Sequence, residues 1–282
     1  MNNHLNFCIL LLSVFFFNVF SDNLDVPFVP TPYEVVNEML NISNVDSNDI
    51  LYDLGCGDGR IVITAVSQRG VKKGVGVDLD PQRIEECKSN ASRAGVSNKV
   101  TFIQGNLFNV DFSEATVLTL YLLPDVNLKL RSKIFNSLES GSRVVSHDFD
   151  MGSWTPDKEQ IIGNNTIYFW VIPANVSGSW TWQMTDTQLI SLNVTQRFQN
   201  ISAKASLPDR DLPVSSTIIN GSFFTFSIGD TNSQIIYSGT VIKNNIKGKY
   251  RMQNGKSTPW TATRNPSTIQ NIAPDENILG VD

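Results

Sequence analysis

From Asp49 onward, short blocks of Val, Leu and Ile alternate with longer blocks whose apolar residues recur every three or four positions, the two periods of strand and helix. "DILYDL" and "KGVGVDL" read as strands. "GRIVITAVSQRG" and "PQRIEECKSNASRAG" read as helices ended by Gly70 and Gly95, the second with Pro81 at its start. Strand "KVTFIQ", strand "TVLTLYLL", helix "NLKLRSKIFNSL" and strand "SRVVSHDF" continue the alternation. Ahead of them Val35, Val36, Met39 and Leu40 predict a first helix to about Leu40, entered through Thr31-Pro32, a hydroxyl cap followed by proline. Apolar blocks without strict alternation suit strands buried on both faces, so the expected fold is α/β, a doubly wound, mostly parallel sheet with helices on each side. Right-handed crossovers place the C-terminal ends of the strands along one edge, where ligands bind.

The pattern changes at Met151. "KEQIIGNNTIYFWVIPA" reads as a hairpin that completes the sheet antiparallel. After about Pro173 the segments "QLISLNVTQRF", "NISAKASL", "SSTIINGSFFTFSI", "SQIIYSGTVI" and "NIKGKYRM" alternate polar and apolar residues between Gly, Asn, Asp and Pro turns. They predict a small all-β barrel or sandwich over residues 175–264, following an α/β domain over 22–174. The tryptophans of "GSWTW" and Trp260 are expected to close its core. Residues 265–282 are polar and expected to be a flexible tail.

Over 282 residues the formal charge is -5, which argues against a nucleic-acid partner, since holding a phosphate backbone needs a clustered excess of Lys and Arg. Phe7 to Phe20 form an apolar run of 14, short for a bilayer span but sized for the core of a signal peptide over residues 1–21, although "MNNHLN" ahead of it has no Lys or Arg. Cleavage near Asp22 implies a periplasmic or extracellular chain with no stable membrane insertion; otherwise the run is an uncleaved anchor or an inactive leader, and with the latter the chain stays cytoplasmic. Cys56 and Cys87 then remain, too few for a disulfide framework. With two His in the chain, no metal-ligand spacing is present.

The turn in "LYDLGCGDGRIV" carries the candidate chemistry. Its spacing, Gly55-x-Gly57-x-Gly59, is one residue tighter than a dinucleotide fingerprint, and the Gly-Lys-Ser/Thr of a phosphate loop is absent. S-adenosylmethionine, which has no phosphate, fits the acidic residues better. Asp53 can pair with its ammonium and Asp78, ending the second strand, can accept both ribose hydroxyls. Asn106, after the third strand, can meet the adenine amino group. An Asp on a ribose also suits NAD, so an NAD-dependent oxidoreductase stays open on Asp78 alone.

"DLGCGDGR", "GVGVDLDP" and "VTFIQGNLF" resemble, in order and spacing, the cofactor motifs of class I S-adenosylmethionine-dependent methyltransferases. "FVPTPYEVV" is similar to the entry segment of a protein-lysine methyltransferase subgroup, and "TLYLLP" and "VVSHDFDMG" to a bacterial set of it with a β-rich C-terminal extension. The resemblance spans about Val26 to Ala174. It implies a Rossmann-like sheet and a cofactor site of Thr31, Asp53, Gly55, Cys56, Gly57, Gly59, Asp78, Leu79, Asn106 and Leu107. Cys56 reads as a small filler beside the cofactor, with nothing nearby to lower its pKa. Asn106 departs from the Asp frequent in the family, which keeps an adenine contact without its charge.

For the acceptor, the Asn-Pro-Pro-Tyr of many nucleobase and glutamine amino methyltransferases is replaced by "LYLLPDVN". The resemblance favours a protein lysine, which must lose a proton before attack. Tyr121 is the candidate for shaping its pocket. His147 and Asp148 either orient and deprotonate the acceptor or form a hydrogen-bonded pair that holds the "SHDFDMG" loop. A small-molecule acceptor and a non-catalytic binding scaffold on the same fold remain the alternatives.

Overall fold

Helices on both faces of the first sheet explain why its central strand blocks are apolar. In a computed structural model that describes residues 28–185, 188–230 and 233–274, α1 (Tyr33–Ile42) precedes β1 (Ile50–Leu54), α2 (Arg60–Thr64), β2 (Lys73–Asp78), α3 (Pro81–Arg93), β3 (Val100–Gln104), β4 (Val117–Leu120), α4 (Pro124–Ser137) and β5 (Arg143–His147). The hairpin of β6 (Lys158–Ile162) and β7 (Asn165–Val171) completes a seven-stranded sheet in the order β3-β2-β1-β4-β5-β7-β6. Neighbours among the first five strands are parallel, and β7 joins β5 antiparallel.

One apolar layer packs Val36, Met39, Leu51 and Val62 on one face of the sheet; Leu118, Leu130, Ile134 and Trp170 form the other. Two local readings change. The helix after β1 loosens into a π turn over Ala65–Arg69 before Gly70. Helix α1 starts at Tyr33 with Pro32 as its cap and no side-chain cap, so the Thr31 hydroxyl is spent elsewhere. The apolar run Phe7 to Phe20 and the cleavage point near Asp22 lie outside the described residues. Among the described residues, no helix is long and apolar enough to cross a membrane.

The second sheet is antiparallel throughout: β8 (Gly178–Thr185), β9 (Gln188–Arg197), β10 (Asn200–Leu207), β11 (Arg210–Leu212), β12 (Val214–Asn220), β13 (Phe223–Ile228), β14 (Ile235–Ile242), β15 (Asn245–Arg251) and β16 (Ser257–Arg264). Its order is β11-β10-β9-β8-β16-β15-β14-β13-β12. The sheet curls until β12 meets β10, where Thr217 Oγ1 donates to the Ile201 carbonyl at 3.1 Å, a nearly closed barrel. Alternate positions point inward, and Trp180, Trp182, Phe224, Phe226, Tyr237 and Trp260 fill the interior. The tryptophans therefore do serve as core, on β8 and β16, which meet at the seam through Thr263 opposite Thr181 and Arg264 opposite Trp180.

The chain leaves the first sheet where Val171 lies opposite Arg143, at the start of β5 and so at the edge away from the strands' C-terminal ends. Phe198, in the β9–β10 turn, packs against Trp154 and Phe135 with centroids 6.2 and 5.5 Å away. The buried Arg131 lies over Phe198 and donates to the carbonyls of Met151 and Pro274. Past β16 the chain packs back on the barrel as far as Pro274. Asn265 caps a short helical turn, and Phe198 N–H donates to the Ile272 carbonyl at 2.7 Å, with Ile272 and Ala273 buried. Residues 275–282 lie outside the described residues.

Candidate active site

At the C-terminal ends of β1, β2 and β4 the chain opens a cleft of about 220 Å³. Backbone hydrogen bonds fix its floor: Gly55 and Cys56 N–H both donate to the Val77 carbonyl, at 2.8 and 3.0 Å. Gly57 has φ +54°, a left-handed conformation, and a Cβ there would collide with the Phe28 ring. The Gly57 amide turns instead to Asp78 Oδ2 at 2.8 Å, while Asp78 Oδ1 accepts from Asp80 N–H at 3.0 Å. Burial raises the pKa of Asp78, and these backbone donors oppose the rise. Each of its oxygens keeps a lone pair for a further donor.

Asp53 is nearly enclosed and lines the same cleft. Thr119 Oγ1 donates to its Oδ1 at 2.7 Å. Burial pushes its pKa up to about 7; the Thr119 hydrogen bond lowers it, and Asp78 and Asp58 raise it further. A buried carboxyl with a hydroxyl partner and two acidic neighbours favours a cation in the cleft. Asn106 Oδ1 accepts from Phe108 N–H at 2.9 Å, keeping a lone pair for an exocyclic amine. Leu79 and Leu107 add aliphatic walls.

The expected cofactor residues Thr31, Asp53, Gly55, Cys56, Gly57, Asp78, Leu79, Asn106 and Leu107 all line this cleft, together with Tyr121. Gly59 does not; its left-handed φ of +79° starts α2, and a Cβ would press on Cys87 Sγ and the Phe102 ring. Cys56 Sγ lies 3.8 Å from Cys87 Sγ, both free thiols. Contact with Cys87 and burial hold the Cys56 thiol well above its usual pKa, so it is no nucleophile.

His147 and Asp148 lie outside the residues that line the cleft. His147 is 1 % exposed, with Thr31 Oγ1 at 3.2 Å from Nδ1 and Asn165 Oδ1 at 3.1 Å from Nε2. Because Asn165 Nδ2 donates to the Ile162 carbonyl, its oxygen faces the ring, so Nε2 carries a proton, with Asp148 Oδ2 at 3.4 Å, while Nδ1 and the Thr31 hydroxyl share a hydrogen bond. Both nitrogens are engaged. Asp148, at φ +60°, uses Oδ1 to accept from Thr166 N–H at 2.8 Å, which holds the loop. Tyr121 stands between these residues and the cleft. Its ring centroid is 3.9 Å from that of His147 and 6.2 Å from Phe149, which lies nearly parallel at 19°.

Sequence reasoning missed Phe28, Arg83, Leu122, Leu123 and Phe149 of the lining. Phe28 covers Gly57 and lies under the Arg83 guanidinium, 4.7 Å away. Arg60 ties the entry segment down by donating to the Thr31 carbonyl at 2.9 Å while paired with Asp58. "GDGR" carried that pair in plain view. No group of three His, Cys, Asp or Glu side chains that could hold a metal occurs among the described residues.

A family model for the ANTKMT methyltransferase domain matches residues 53–158. A protein-lysine N-methyltransferase of Saccharolobus islandicus is 48% identical over 151 residues, which cover 52% of this chain and 94% of the relative. The adenine nucleotide translocase lysine N-methyltransferase of Mus musculus is 31% identical over 55% of this chain and 66% of its own length. Among solved structures, an RNA methyltransferase from Salinibacter ruber in complex with S-adenosyl-L-homocysteine is 53% identical with a TM-score of 0.50, over 51% of this chain and 93% of that one.

Proposed function

The chain belongs to the protein-lysine N-methyltransferase family, enzymes that use S-adenosylmethionine, and from that premise we propose that its own acceptor is a lysine side chain of a protein. The observation that carries the reading is the near-complete span of the Saccharolobus islandicus protein-lysine N-methyltransferase by this chain at 48% identity. Bound S-adenosylmethionine supplies an activated sulfonium methyl. The chain's part is to bind, orient and exclude water.

In this reading Asp53 holds the ammonium, and Asp78 takes the ribose diol with the lone pairs left by Gly57 and Asp80. Leu79 and Leu107 flank the adenine, with Asn106 at its edge. Tyr121, Leu122, Leu123 and Phe149 form the acceptor end. An amine entering along the edges of the Tyr121 and Phe149 rings leaves water, which favours its neutral, nucleophilic form. With both His147 nitrogens engaged, the amine releases its proton to solvent at the mouth of the cleft.

The test is transfer of labelled methyl groups to a mixture of lysine-rich polypeptides and, separately, to RNA, with the products read by mass spectrometry. Methyl-lysine is the expected product; label confined to RNA or to small molecules overturns the reading. Export through the leader belongs to the same proposal, and a secreted chain that begins near Asp22 is its check.

A further inference from the structure

The two halves of the chain carry opposite charge. Residues 175–264 hold 9 Lys and Arg against 4 Asp and Glu, whereas residues 1–174 hold 13 against 20. From Val214 to Arg264 the sole acidic residue is Asp230, in the loop after β13. The relatives' coverage of about half this chain gives the barrel no role by itself. Among the described residues, none of the barrel lines the cleft either.

Strand β15 shows where the positive charge is displayed. Ile246 points into the barrel, while Lys247, Lys249 and Arg251 are exposed at alternate positions, about 7 Å apart along the strand. Register carries the same outer face across the neighbouring strands: Lys247 lies opposite Thr240 of β14, and Thr240 opposite Phe223 of β13. Ile242 stands two residues beyond Thr240 on that face, and Ile218 of β12 lies opposite Thr225. Phe223, Ile242 and Ile218 are 51%, 49% and 60% exposed. Lys243 and Lys256, in the turns at either end of β15, are exposed as well. Among the described residues none of these five cations is in an ion pair.

We propose that this outer face of β12 to β15 docks the enzyme on an anionic phospholipid surface. Long cationic side chains interspersed with aliphatic ones suit the headgroup boundary, where the cations meet phosphates and the apolar groups reach the acyl edge. Single-stranded nucleic acid needs a row of stacking platforms. Phe223 is the one aromatic among the large hydrophobic side chains exposed on this half, so lipid fits better. The same leaflet repels the acidic α/β half, which keeps the cleft free for its acceptor.

The experiment is co-sedimentation of the full chain with vesicles of phosphatidylcholine alone or mixed with phosphatidylglycerol. The expected result is selective binding to the phosphatidylglycerol vesicles that weakens with salt. Each cation near an anionic leaflet contributes roughly fivefold, so Lys247→Glu/Lys249→Glu/Arg251→Glu should weaken binding on the order of a hundredfold. Phe223→Ser/Ile242→Ser should remove a smaller, salt-insensitive part. A wild-type urea-unfolding midpoint and the near-ultraviolet signal of the buried barrel tryptophans certify that each variant's barrel is folded. The leader is common to every variant, so differences between them report on this face. Equal binding to both vesicle types, or a triple variant that binds like the wild type, overturns the proposal. So does tighter binding to a single-stranded oligonucleotide that the triple variant loses.

Discussion

Each half of the molecule buries a charge, and the two are treated differently. Arg264, at the seam of the barrel, donates to the carbonyls of Asn175, Ser177 and Lys243 and to Asn244 Oδ1, at 2.7 to 3.1 Å, and lies 4.8 Å over the Trp180 ring. Asp53, in the sheet that bears the cleft, has the Thr119 hydroxyl and two acidic neighbours. A buried charge surrounded by its own fold is architecture. One left facing a cleft with its pKa displaced marks a place where a ligand completes the electrostatics.

The contrast is sharpest at Arg264. Arg264→Ala strips several charge-assisted hydrogen bonds from the barrel seam and should cost about 3–5 kcal/mol in urea unfolding. S-adenosylmethionine affinity should stay within about twofold, because the seam lies away from the cleft. A large loss of affinity in a folded variant would mean that the halves are coupled in a way the packing does not show.

Asp78→Ala acts in the opposite sense. It removes the acceptor of two backbone amides and of the ribose hydroxyls, and affinity should fall by a factor of about a hundred to ten thousand in calorimetry, from two hydrogen bonds to a charged group at about 1.5–3 kcal/mol each. The urea midpoint should fall by less than in Arg264→Ala, because two backbone amides lose their acceptor while a partly buried carboxylate is removed with it. Unchanged affinity would return the glycine turn to a purely structural role.

Asp53 can be tested through pH. Its carboxyl titrates at about 7 in the fold against 3.8 in the reference state, so between those values the folded chain holds a proton that the unfolded chain has released. The stability of the free enzyme therefore falls as pH rises from about 4 to about 7 and is flat above. Asp53→Asn abolishes that slope and should leave the free protein at pH 8 more stable by up to about 4 kcal/mol. Cofactor binding moves the other way. The ammonium prefers the ionised carboxylate, so wild-type affinity should rise by up to about tenfold per pH unit towards pH 7, and the variant should bind weakly with no such rise. A variant that is both less stable at pH 8 and unimpaired in binding would remove Asp53 from the site.

These differences also explain what could be read from the chain. The α/β half was legible because its signals are local: apolar blocks bounded by Gly70, Pro81 and Gly95, and acidic residues at strand ends. The direction in which a side chain turns at a strand end is not local. His147 faces Thr31, 116 residues earlier, and Asn165 on the hairpin, and neither contact has a sequence signature. Phe28 sits outside any periodic segment, and its place over Gly57 arises from tertiary packing alone. In the barrel, alternation gave most strands. The seam strands β8 and β16 were harder to bound, although their tryptophans were expected in the core, where the register places them.

The smallest expected effect separates shape from chemistry at the acceptor end. The Tyr121 ring is wedged between His147 and Phe149, and burial followed by the Asp148 charge raises the pKa of its hydroxyl, which keeps the phenol protonated and unsuited to act as a base. If the ring serves as a wall that excludes water, Tyr121→Phe keeps that wall and kcat should stay within about threefold. Tyr121→Ala opens the wall and should lower kcat/KM by about tenfold or more, the equivalent of the roughly 1.5–3 kcal/mol of apolar burial lost with the side chain. Both variants should retain the wild-type shape of the pH–rate profile. A hundredfold loss in Tyr121→Phe, with a limb of that profile gone, would instead place the hydroxyl in the path of the proton.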